Sequence, residues 1–169
     1  MTGKNGTAEH HAAAANHHGQ AAHYHREASK HYLIGKDYAH AAYMALAAHG
    51  HALKATWHGI ETQRHYEELV GAPPASPGSA FGNTVRVTGT TDIKLNGAEH
   101  HAAAADDHDK AAQHHRQAAE HFVGNDYAKA AQEAQIANGY AEQSIFHDDE
   151  AAEYHVEYCG GAGPSAEIA

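Results

Sequence analysis

Histidine and alanine alternate with polar residues in a seven-residue rhythm along most of the chain. His10-His11, His17-His18, Tyr24-His25 and His31-Tyr32 stand at successive sevens in a recurring HHxxAAx pattern, and seven residues make two turns of α-helix. If His11, His18 and His25 share a heptad position, Ala14, Ala15, Ala21, Ala22 and Ala28 fall on the same broad stripe, with Asn16, Gln20, Arg26, Glu27 and Lys30 outside it. The rhythm returns in His100-His101, Asp107-His108, His114-His115 and His121-Phe122. A second segment carries His51, His58 and His65, again at sevens, and the last keeps His147 and His155.

The two halves are copies. The octet AEHHAAAA stands at Ala8–Ala15 and again at Ala98–Ala105; with one residue deleted at a turn, Ala8–Gly71 aligns with Ala98–Gly160 at close to half of the positions. Each copy has one turn, Leu33-Ile34-Gly35-Lys36-Asp37 or Val123-Gly124-Asn125-Asp126, where glycine ends one helix and aspartate caps the next. The pattern predicts helices over 8–34, 37–69, 98–123 and 126–158, and two antiparallel pairs bury their seams best as a four-helix bundle. The organisation expected is an all-α protein with a first hairpin at 1–71, a linker at 72–97, a second hairpin at 98–159 and a tail at 160–169. The linker is rich in Pro and Gly, and the alternation Thr84-Val85-Arg86-Val87 and Asp92-Ile93-Lys94-Leu95 suggests a short β-hairpin within it.

Composition makes the core unusual. Leu, Ile, Val and Phe together supply 19 of 169 residues, so aliphatic burial alone would not hold the fold, whereas alanine favours helix strongly. The face that should form the core is therefore imidazole and methyl. A net charge of −10 with only 11 scattered Lys and Arg argues against nucleic acid. The 20 histidines could carry the chain towards about +10 in mild acid. No stretch approaches the 18 or so apolar residues of a membrane span, and the first residues lack an apolar signal core. The chain reads as cytoplasmic, or extracellular if a signal peptide was removed. Cys159, alone, reads as an incidental thiol.

Buried imidazoles need partners, and rows of them in heptad register point to ligation of divalent transition metal. The candidate ligands are His10, His11, His17, His18, His25, His31, His51, His58, His65, His100, His101, His108, His114, His115, His121, His147 and His155. No two histidines stand at i and i+4, so sites must be completed across helices, in layers about 10.5 Å apart that gather three or four nitrogens each. Imidazole suits Cu(II), Zn and Ni, and the lack of Cys and Met clusters argues against Cu(I). Glu27 and Glu61, four residues before His31 and His65, are candidate orienting carboxylates or simply surface ion-pair partners.

Two other readings fit the pattern. Facing histidines could clamp haem b, although few aliphatic residues are available to line a porphyrin pocket and no CxxCH motif exists. Alternatively, the histidine faces, hairpin and tail could join subunits into an oligomer or filament. Storage, buffering or sequestration of metal ranks first, and an enzyme last, since no nucleophile elbow, P-loop or ExxH pair is present. The segment AEHHAAAANHHGQAAHYHREASKHYLIGKDYAHAA and the later HGH resemble short His/Ala-rich bacterial proteins built on one such hairpin. The resemblance covers both repeats but not the linker. It implies the hairpin and carries no activity. The second copy departs from it with Asp107 for His17, Tyr140 for His51 and Tyr154 for His65, which predicts an asymmetric distribution of metal.

Overall fold

A computed structural model describes residues 3–34, 37–70 and 96–158, and the regular elements among them are four helices: α1 Gly3–Ile34, α2 Tyr38–Val70, α3 Gly97–Val123 and α4 Tyr127–Tyr158. The expected boundaries hold to within about a residue except at the start of α1, which begins at Gly3 rather than Ala8. The reason is tertiary: Thr7 is fully buried, and its hydroxyl shares a hydrogen bond of 3.0 Å with His65 Nδ1, so α2 supports an extra turn of α1. The expected β-hairpin at 84–95, nearly all of the linker and the tail lie outside the described residues.

The helix ends are built as the turn residues imply. Asp37 Oδ1 accepts from His40 N, and Asp126 Oδ1 accepts from Lys129 N, each at 3.2 Å. Asn96 and Glu99 form a reciprocal capping box at the start of α3. In the α3–α4 turn it is Asn125, at φ 62°, and not Gly124 that takes the left-handed conformation.

The helices pack as a bundle in which α1 lies against α2 and α3, α3 lies against α4, and α2 and α4 meet more sparsely. The inner faces of α1 and α3 carry alanines with no more than 1% exposure, Ala14, Ala15, Ala21 and Ala22 on one helix and Ala104, Ala105, Ala111 and Ala112 on the other. Methyl groups let the backbones approach closely, and the gaps are filled by imidazoles: His11, His18, His25, His108 and His115 are among the largest fully buried side chains. The larger apolar residues go outside. Tyr43, Leu46, Leu53, Trp57 and Ile60, all more than half exposed, form a 3-4 spaced stripe on the outer face of α2.

The duplication appears in space as a pseudo-two-fold. His11 pairs with His115 and His25 with His101, which are equivalent pairs under the repeat alignment, and His18 pairs with its own equivalent, His108. The approximate axis therefore passes through the His18–His108 pair.

Candidate metal centre

Antiparallel packing converts the heptad histidines into pairs across helix seams. On the α1–α3 seam, Nδ1 to Nδ1 distances are 3.3 Å for His11–His115, 3.1 Å for His18–His108 and 3.2 Å for His25–His101. His10–His58 at 2.9 Å and His17–His51 at 3.1 Å line the α1–α2 seam, and His100–His147 at 3.2 Å lines the α3–α4 seam. Successive central layers also stack: His18 on His115 and His25 on His108, each with ring centres 5.4 Å apart. The seam thus holds a continuous column of imidazoles.

The other five candidates are placed differently. His65 meets Thr7, His155 Nδ1 lies 2.9 Å from the Tyr32 hydroxyl, and His114 Nδ1 lies 2.6 Å from Glu133 Oε2. His31 and His121 sit at the hairpin turns. His31 stacks on His40 and lies 4.0 Å from Asp37, and the His121 carbonyl accepts from the Asp126 N–H. Glu27 and Glu61 are engaged by Lys30 and Arg64 at 2.5 and 3.2 Å. Layers of three or four nitrogens, the arrangement expected from sequence, are replaced by pairs, because His51 and His58 of α2 and His147 of α4 pair with His17, His10 and His100 and not with the central row.

Burial keeps the central rings neutral. Desolvation first, and neighbouring imidazoles second, lower the pKa of His11 to about 3 and of His25 to about 2, and hold His18 well below the usual range. Burial, again the leading cause, takes His101, His108 and His115 to about 4. Neutral imidazole is the metal-ligating form.

One cluster among the described residues gathers three donors: His25, His101 and Asp148 offer ligand atoms all within 4.8 Å of one another. Asp148, on α4, places Oδ1 at 3.9 Å from His25 Nδ1 and Oδ2 at 3.3 Å from His49 Nδ1 on α2. Burial pushes its carboxyl up, against the pull of His49. His25 Nε2 is buried and has no hydrogen-bond partner among the described residues. A cleft of about 360 Å³ opens beside the group, bordered by Tyr32, His49, His101, Asp148 and His155. Sequence reasoning missed Asp148 and His49. Asp148 sits in the run Asp148-Asp149-Glu150, which reads as a solvated acidic face, and His49 is off the heptad row.

No helix among the described residues is long and apolar enough to cross a membrane. Comparison with family models, with curated proteins and with solved structures finds no match to this chain.

Proposed function

We propose that the protein binds divalent transition-metal ions between its helices, for storage, buffering or sequestration. The observation that carries this reading is the repeated pairing of imidazole nitrogens at 2.9 to 3.3 Å. Two nitrogens held about 2.05 Å from one ion at angles between 90° and tetrahedral stand about 2.9 to 3.3 Å apart. An N–H···N hydrogen bond spans a similar distance, so each pair is satisfied without metal and spaced for it. Neutral, pre-aligned donors on rigid helices also lose little freedom on binding.

The donors are nitrogen with occasional carboxylate, a set that suits Cu(II), Zn and Ni. The same spacing favours bare ions over haem, because two axial imidazoles flanking a porphyrin iron need nitrogens about 4 Å apart. The alanine seam is also closed where a porphyrin plane would have to enter. The test is elemental mass spectrometry and an absorption spectrum on untagged protein, followed by dialysis against Cu, Zn and Ni. Several equivalents without a Soret band are expected; uptake of less than one equivalent would end the proposal.

A second reading, assembly through copies of this chain, is favoured by the outer stripe of α2. Its 3-4 spacing is that of a coiled-coil seam, which another α2 would complement. Sedimentation of wild-type protein and of Leu53→Glu distinguishes the cases: a wild-type dimer that the variant splits supports assembly, and a wild-type monomer excludes it.

A further inference from the structure

The duplication gives nearly every helical residue an equivalent at the opposite end of the bundle. His25 and His101 correspond to His115 and His11, Asp148 to Gly59, His49 to Asn138, and His155 to Tyr66. The pair of imidazoles is common to both ends, but the carboxylate and its histidine partner occur at one end only. At the Tyr66 end, His11 Nε2 is satisfied by the Tyr66 hydroxyl at 3.2 Å. At the Asp148 end, His25 Nδ1 faces the other two donors, 3.2 Å from His101 Nδ1 and 3.9 Å from Asp148 Oδ1, while its buried Nε2 has no partner among the described residues. The cleft between α2 and α4 reaches His101 and Asp148 from the solvent side, whereas His25 closes the site from within.

We infer that His25, His101 and Asp148 form one open, three-ligand centre for a divalent cation, whose remaining coordination position faces the cleft and takes a small exogenous ligand. This rests on the metal-binding reading and narrows it to one site of a distinct kind. Two imidazoles and one carboxylate with an open position is the donor set of hydrolytic zinc centres and of non-haem ferrous centres. His49 holds the second carboxylate oxygen and orients it. The neutral pairs elsewhere offer two nitrogens without a charge, so they bind more weakly and fill later.

The test uses the full chain and Co(II) as a visible probe, with azide as the small ligand. The first cobalt equivalent should bind tightly, give a spectrum that azide shifts, and produce hyperfine-shifted ring resonances from two histidines. Asp148→Asn should weaken that first equivalent about 100-fold or more and remove the azide response, a larger loss than that of an outer-shell partner. Glu142→Gln, an exposed charge on the same helix, should leave both unchanged. If wild type binds cobalt while Asp148→Asn keeps the affinity and the azide response, this site is wrong and metal binding by pairs stands. Paramagnetic shifts in more than two histidines at the first equivalent would also overturn it, by a measurement that needs no variant. If wild type binds no cobalt, zinc or copper, both readings fall together.

Discussion

At one end of the bundle, His11 and His115 meet beneath Tyr66 and Phe122, and Thr7 closes the outer turn on His65. At the other end, His101 and His25 meet beside His155 and Tyr32, with Asp148 and His49 reaching in from α4 and α2. There Gly97 replaces Thr7, and its bare backbone lies so close to Tyr154 that an added Cβ would stand 2.9 Å from the ring. The same duplicated backbone therefore carries two different solutions for a buried imidazole pair. One is completed by hydroxyl groups and is self-sufficient. The other combines a carboxylate with a nitrogen that has no partner among the described residues, and what separates them is a handful of substitutions since duplication.

Acid should erase this difference before any mutation does. Six buried imidazoles, two at each end and two on the axis, have folded-state pKa values far below the value near 6.5 of an unfolded chain. Their folded pKa is depressed, so their neutral burial is without penalty above about pH 6.5, and stability is lost as pH falls below it. The loss continues to about pH 4, where the highest of the folded values lie. Each contributes about 1.4 kcal/mol per pH unit in that window, so six remove about 8 kcal/mol by pH 5.5, comparable with the whole stability of a domain. Circular dichroism of metal-free protein should show cooperative loss of helix between pH 6.5 and 5. Full helicity retained at pH 4 would mean that the rings are not buried as described.

The pairing behind that expectation was only half legible in the sequence. The sevens of His11, His18 and His25 and the intervening alanines marked the buried face, and Asp37 and Asp126 marked the turns. The register between α1 and α3 could not be read, because a heptad row looks the same when slid by seven residues. Nor could the choice of α3 over α2 as the partner of the innermost row. His10 and His11 are adjacent in sequence, yet one faces α2 and the other α3. Asp148 was hidden in an acidic run, and its place beside His25, His49 and His101 depends on four helices converging there.

Converting one end into the other is the next sharpest test. Gly59→Asp with Asn138→His would install the missing carboxylate and its partner beside His11 and His115. A Cβ on Gly59 meets only Asn138 Oδ1, at 3.4 Å, the side chain replaced in the same variant. The double variant is expected to bind a second cobalt ion about 100-fold more tightly than the corresponding pair does in wild type. Calorimetry showing one tight equivalent, as in wild type, would mean that the carboxylate is not what distinguishes the ends.

A smaller effect follows from breaking the self-sufficient end. Tyr66→Phe removes the hydroxyl from His11 Nε2 and leaves that nitrogen, like Nε2 of His25, without a partner among the described residues. Stranding a buried polar atom costs about 1 to 3 kcal/mol, so urea denaturation of metal-free protein should show a loss in that range. Burial raises the Tyr66 phenol's pKa, so the hydroxyl is protonated and available as donor across the neutral range. No change in stability would indicate that the His11–Tyr66 contact is incidental.

The smallest expected effect tests whether the Asp148 end depends on its own helix cap. Asn96 Oδ1 accepts from Ala98 N and Glu99 N, at 3.0 and 3.1 Å, and Glu99 Oε2 accepts from Asn96 N at 2.8 Å. Its equivalent at the opposite end is Gly6, which lies inside α1 and caps nothing. Asn96→Ala should cost about 1 kcal/mol of stability, the usual worth of such a cap. The loss falls on the first turn of α3, which carries His100 and His101, so affinity for the first cobalt equivalent should drop with it by up to about fivefold. The Tyr66 end, whose α1 start is held by Thr7 and His65, should not respond, and amide exchange at Ala12–Ala15 should match wild type. Equal loosening at both ends would show that the bundle transmits fraying along its length, and that the two ends differ in chemistry but not in local stability.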